Sequence, residues 1–160
     1  MKRVIAPVLI LLFLLTGCDP SPGTSVGNLA PTVEGTKWIT YSGKAPEPEG
    51  KVKLVEFWYG QCPHCCNAAP KLQALHKQYK DKGLVVLAPS LDPKDQVNAF
   101  RTQFGVTYPM LPNAHELAET YGVTGYPMMF IVGKDGVIKW KGHFEDATFS
   151  KTLTDALDEP

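Results

Sequence analysis

The stretch from Lys51 to Cys65, KVKLVEFWYGQCPHC, decides the fold. Residues 51–59 are dense in β-branched and aromatic side chains, which predicts a buried strand. From Pro63 to about Lys80 the pattern predicts a helix, with Ala69, Leu72, Leu75, His76 and Tyr79 near one face. Pro63 suits the first helical position because it has no N–H to leave unpaired, and Pro70 should bend the helix. Cys62 then falls at the helix N-terminus, where free backbone N–H groups and the helix dipole favour a thiolate. Cys65 lies one turn later, close enough to form a disulfide with little rearrangement. A structural zinc site would need a second ligand pair, and the sequence has no other Cys pair and no His-x-x-x-His, so no metal is expected.

Outward from this junction, Thr36–Tyr41 reads as a short strand and Ser42–Gly50 as a Pro- and Gly-rich turn region. Leu84–Leu91 is a second apolar strand. Pro93–Phe104 reads as a helix with Asp92 as its cap, and Ala114–Tyr121 as a shorter one capped by Asn113. Met128–Val132 and Val137–Phe144 are strands joined across Gly133–Gly136, where Asp-Gly signals a tight hairpin. Phe149–Leu157 closes the chain as an amphipathic helix. The order β-β-α-β-α-α-β-β-α predicts an α/β fold with a central mixed β-sheet flanked by helices and an antiparallel hairpin at one edge.

Three features carry a family resemblance: the Phe57-Trp58 to Cys65 segment, Pro70 eight residues after Cys62, and Gly122-Val123-Thr124-Gly125-Tyr126-Pro127 before a strand. From about Val33 to Leu157 the chain resembles thioredoxin-fold thiol–disulfide oxidoreductases, closest in layout to the TlpA-like and redoxin group. The resemblance implies a thioredoxin-like fold and exchange chemistry that needs no cofactor. Cys62 would attack and Cys65 resolve, forming the redox disulfide between them. It also implies a cis bond before Pro127, with Trp58, Tyr126 and Pro127 on the substrate side. Glu56 matches the buried acid of thioredoxin and of the periplasmic oxidase DsbA. A carboxyl in so apolar a strand is out of place unless it has work, and that work would be to accept the proton of Cys65. His64, in the first helical turn, adds positive charge that would stabilise a Cys62 thiolate.

Two departures leave the redox direction open. TlpA-like reductases often have Glu six residues after the first Cys, where this chain has Ala68, and Pro63-His64 resembles the DsbA dipeptide. A reductase is the favoured expectation and a DsbA-like dithiol oxidase the alternative. Cys66 adds a Cys-x-x-x-Cys spacing with Cys62, which with His143 resembles Sco-like copper carriers, a non-enzymatic alternative. Pro127 argues against that reading. The Pro-x-x-x-Thr-x-x-Cys pattern of peroxiredoxins is missing before Cys62.

The N-terminus predicts export. Lys2 and Arg3 precede an apolar run from Val4 to Leu15, too short for a comfortable membrane span. Leu15-Thr16-Gly17-Cys18 resembles a bacterial lipobox, so residues 1–17 are expected to be a lipoprotein signal peptide and Cys18 a lipid attachment site. Asp19 resembles an inner-membrane retention signal. Residues 18–32, rich in Pro, Ser, Gly, Thr and Asn, read as a flexible tether, and 33–160 as the thioredoxin-like domain. The whole chain has 160 residues, with 16 Lys plus Arg against 16 Asp plus Glu, and so carries no electrostatic footprint for nucleic acid. Expected partners are the thiols and disulfides of exported proteins, a membrane redox partner that recharges the site, and the membrane itself through lipid on Cys18. The expected location is the outer face of the bacterial cytoplasmic membrane.

Overall fold

The computed structural model describes residues 24–33 and 37–160. Its elements run β1 (Val52–Phe57), α1 (Pro63–Tyr79), β2 (Leu84–Pro89), α2 (Lys94–Phe104), β3 (Met110–Leu111), α3 (His115–Thr120), β4 (Met128–Val132), β5 (Ile138–Gly142) and α4 (Phe149–Asp158). The five strands form one sheet in the order β3-β2-β1-β4-β5. β1 is its central strand, parallel to β2 and antiparallel to β4, with Leu54 opposite both Val86 and Ile131. The sheet is therefore mixed, as expected for the thioredoxin-like fold.

β1 shows why its sequence lacks a polar face. Val52, Leu54 and Trp58 belong to the core beneath α1, α2 and α4, with Cys65, Leu72, Val97, Phe100 and Leu153. Val55 and Phe57 enter the opposite core with Ala118, Tyr121 and Phe130. A strand covered on both faces must be apolar on both. Gln73 of α1 is buried and clamps the chain ahead of β3: its amide N–H donates to Thr107 Oγ1 and its oxygen accepts from Thr107 N–H, each at 2.8 Å.

Several expected elements differ. Of Thr36–Tyr41, Thr36 lies outside the described residues, and the rest forms only one bridge, Ile39 with Met110. The segment covers the edge of β3 without becoming a strand. β3 itself was not anticipated; two residues between Pro109 and Pro112 are too short to show alternation. α2 starts at Lys94 with Pro93 in the N-cap position, so Asp92 is not its cap. Ala114, not Asn113, occupies the N-cap position of α3, and Asn113 has φ of 55°. The hairpin forms where expected: Gly136 has φ of 80°, its N–H donates to Gly133 O at 3.0 Å, and Asp135 Oδ1 accepts from Val137 N–H at 3.0 Å.

The expected tether 18–32 falls within the described residues only from 24 on. Its C-terminal part is docked: Gly27 N–H donates to Ile138 O, Ala30 N–H to Gly136 O, and Ile138 N–H to Asn28 O, each at 2.9 Å. Leu29 pairs with Val137, Val33 is buried, and Tyr121 O–H donates to Pro31 O at 2.7 Å. The edge of β5 offers unpaired backbone groups, and residues 27–31 occupy them. The folded body thus begins ahead of the expected boundary at 33. The expected signal peptide 1–17, Cys18 and Asp19 lie outside the described residues. Among the described residues no helix is long and apolar enough to cross a membrane.

Candidate active site

β1 ends at Phe57, and Trp58 still pairs alongside the end of β2 as a parallel bridge to Ser90. The turn that follows closes with Cys62 N–H donating to Tyr59 O at 3.2 Å. Cys62 is then the N-cap of α1, and its Sγ accepts from Cys65 N–H at 3.1 Å. Pro63 takes the first helical position, as its missing N–H allows. Cys62 and Cys65 are joined as a disulfide with Cα atoms 5.2 Å apart. Cys62 is 3% exposed and Cys65 1%, so both are buried, and Pro63 and His64 beside them are exposed. Cys66 points elsewhere, its thiol donating to Gly60 O at 3.5 Å.

Behind the disulfide, Glu56 faces the same core as Cys65. It sits opposite Met129 on β4 and is 2% exposed. Burial pushes its carboxyl up from 4.5 to about 8, because a charged carboxylate in that apolar surrounding has lost its hydration. Its Oε1 has no protein hydrogen-bond partner, and neither does the hydroxyl of fully buried Tyr108. Burial raises the Tyr108 phenol well above its ordinary value, and the nearby Glu56 carboxyl raises it further.

In front of the disulfide, the Tyr126–Pro127 bond is cis. Tyr126 is half-buried and meets the ring of Tyr59 edge-on at 5.4 Å. Tyr126, Pro127, His64, His143 and Glu145 line one cavity of about 320 Å³. The ring of His143 lies with Nδ1 2.7 Å from Pro127 O. A carbonyl oxygen only accepts, so Nδ1 carries a proton and Nε2 is left for other partners. Glu145 pairs with Lys71 of α1 at 3.3 Å across the rim.

The structure brings Cys62, Cys65, Glu56, His64, Tyr126 and Pro127 to one end of the sheet. Trp58, expected on the substrate side, is different. It is 1% exposed, stacks on Phe100 at 4.2 Å, and donates its indole N–H to Ala88 O at 3.2 Å. It supports the site from below; Tyr59 is the aromatic that reaches the surface beside it. Nor are Cys62, Cys66 and His143 gathered as copper ligands. Cys66 and His143 each engage a different carbonyl, and among the described residues no three His, Cys, Asp or Glu side chains form a metal-binding group.

Two residues near the site were read from sequence in other roles, His143 as a copper ligand and Asp92 as a helix cap. His143 follows the hairpin whose register sets Met129 opposite Gly142, which brings it beside the loop ahead of β4. Asp92 accepts from Gly60 N–H at 2.5 Å. β1 and β2 are parallel neighbours, so the loops after them emerge at the same end, and that pairing was the available signal.

The chain matches the AhpC/TSA family over residues 26–141. It is 26% identical over 149 residues to the thiol-disulfide oxidoreductase ResA of Geobacillus kaustophilus, covering 86% of each chain. It is 32% identical over 97 residues to the thioredoxin-like protein YneN of Bacillus subtilis, covering 58% of this chain and 56% of that one. In fold it is similar to the thioredoxin domain of a thiol-disulfide oxidoreductase from Bacteroides vulgatus. That likeness has a TM-score of 0.68 and 22% identity over 82% of this chain and 98% of the other.

Proposed function

The chain belongs to the AhpC/TSA family, and from that premise we propose that it is a thiol–disulfide oxidoreductase acting on exported proteins through Cys62 and Cys65. The observation that carries this reading is the disulfide at the N-terminus of α1, with buried Glu56 behind it and the cis Tyr126–Pro127 loop in front. In the reducing direction, the Cys62 thiolate attacks a substrate disulfide and releases one substrate thiol. Cys65 gives its proton to Glu56 and attacks the sulfur of Cys62; the mixed disulfide breaks and the second substrate thiol leaves. The ionised fraction of a carboxyl that titrates at about 8, minor at pH 7 and growing toward 8, is the base that accepts this proton. The backbone of Tyr126 pairs with an extended substrate segment as an added strand.

The test is exchange with glutathione and with a peptide disulfide. Cys62→Ala should abolish exchange, and Cys65→Ala should accumulate a mixed disulfide on Cys62. Trapping that instead required Cys65 would reverse the roles.

The finer reading is a reductase held at the outer face of the cytoplasmic membrane by lipid on Cys18. The lipobox-like Leu15–Cys18 and the TlpA-like layout support it, and the docked segment 27–33 shortens the linker that follows. Its recharging partner is a membrane thiol carrier. Loss of lipid labelling in Cys18→Ala is the expected result; unchanged labelling removes the anchor. A strongly oxidising potential, with the pair mostly disulfide-bonded in cells, would replace the reductase by the oxidase that Pro63-His64 resembles.

A further inference from the structure

The segments leaving β1 and β2 continue side by side beyond the strand ends. Trp58 N–H donates to Pro89 O at 3.2 Å and Leu91 N–H donates to Trp58 O at 3.1 Å. This continuation delivers Asp92 to the turn 59–62. The backbone of Asp92 is held on both sides: its N–H donates to Ser90 Oγ at 3.1 Å, and its carbonyl accepts from Asn113 N–H at 2.9 Å. Its Oδ2 accepts from Gly60 N–H at 2.5 Å. A Cβ added to Gly60 would stand 3.1 Å from that same oxygen, so the carboxylate lies directly against the turn backbone. The Gly60 carbonyl in turn accepts the Cys66 thiol. A half-buried negative charge is thus fixed against the chain two residues ahead of Cys62.

We propose that Asp92 is a positioning residue that sets the redox poise of the Cys62–Cys65 couple and holds it toward the reducing side. The inference rests on the oxidoreductase reading above and deepens it. The reduced site carries charge as a Cys62 thiolate, whereas the disulfide is neutral. A fixed carboxylate therefore destabilises the reduced form and leaves the oxidised form untouched, so the protein gives up its electrons more readily. The N-terminus of α1 and His64 act in the opposite sense. The other carboxyls around the site differ in kind. Glu56 is buried behind it and mostly protonated at neutral pH, and Glu145 is paired with Lys71. Two residues of chain span at most about 7 Å, so with the hydrogen bond to Gly60 and the Cys62 side chain added the charge lies within about 12 Å of the sulfur. Coulomb's law at the effective dielectric of a protein surface then gives roughly a tenfold effect on thiolate formation.

The experiment is a glutathione equilibrium on the full chain. Two glutathione thiols are oxidised to one glutathione disulfide, while the Cys62–Cys65 bond takes up two electrons and two protons. Asp92→Asn keeps an oxygen for Gly60 N–H and removes the charge. It should favour the reduced protein about tenfold, a rise of about 30 mV, and lower the Cys62 titration followed by thiolate absorbance. Asp92→Ser, smaller and also neutral, should shift both in the same direction, and Asp95→Asn on exposed α2 should shift neither. An unchanged equilibrium and titration in Asp92→Asn and Asp92→Ser overturn the proposal, as does a change confined to Asp92→Ala, which would leave only a bracing hydrogen bond. Wild-type protein that exchanges normally while these variants do not shift sinks Asp92 alone. Wild-type protein that never equilibrates through Cys62–Cys65 sinks the oxidoreductase reading and this inference together.

Discussion

Replacing Glu56 by Gln should make the oxidised protein more stable at neutral pH and slower in its chemistry, and the two effects share one cause. The Glu56 carboxyl is raised from 4.5 to about 8 by burial. Below pH 4.5 the folded and unfolded chains both hold this proton, so the group is neutral in the balance. Between 4.5 and 8 the unfolded chain ionises while the folded one keeps its proton, and stability falls by about 1.36 kcal/mol per pH unit. The deficit reaches about 3 kcal/mol at pH 7 and is complete, at about 5 kcal/mol, above pH 8. Gln has nearly the shape of the protonated carboxyl and does not titrate. Urea unfolding of both oxidised proteins between pH 4.5 and 9 isolates the effect, because every other titrating group cancels in the difference. The curves should meet at the acid end and diverge steadily above it. Parallel curves would refute the assignment of a high pKa to this group. In the reduced protein, the same variant should slow resolution of the mixed disulfide by about a hundredfold and abolish its rise with pH toward 8.

Two further outcomes follow from contacts near the site and the N-terminal segment. His143→Ala removes the Nδ1–H donor to Pro127 O; it should raise KM for a peptide disulfide several-fold, an effect of about 1 kcal/mol, with the glutathione potential unchanged. A shifted potential with unchanged KM would contradict a substrate-side role. Tyr121→Phe removes the hydroxyl that holds Pro31. It should cost about 1 kcal/mol of stability and speed amide exchange at Gly27 and Ala30; unaltered exchange there would mean that Leu29 and Val33 suffice to dock the segment.

The central strand and the Cys-x-x-Cys helix were legible because their signals are local. A two-faced buried strand must be apolar throughout, so Glu56 stands out within it, and Pro63 marks the helix start without reference to anything distant. What sequence misplaced depends on neighbours across the fold. Leu29 and Asn28 lie in a stretch whose Gly, Pro and Ser content reads as tether, yet β5 presents an open edge that such a stretch can fill. Composition registers the weak local preference and not the available partner. Trp58 read as part of the substrate surface because it adjoins the motif, but strand alternation carries it inward onto Phe100, on the same face as Leu54.

Asp92 makes the same point about chemistry. Asp followed by Pro ahead of a helical pattern is a sound cap signature, and a residue in that role has no bearing on a redox site. Here the parallel pairing of β1 and β2 places the end of one strand beside the end of the other, and the carboxylate bonds Gly60 N–H in preference to the first turn of α2. The consequence reaches the question of redox direction. Judged by the two residues between its cysteines, the couple would lean toward the oxidising side, since a positive charge at His64 would stabilise a Cys62 thiolate. Asp92 comes from a different strand and opposes it from across the turn. On the proposal above, the dipeptide does not set the potential alone, because the loop after β2 brings the Asp92 carboxylate against the turn that leads into Cys62.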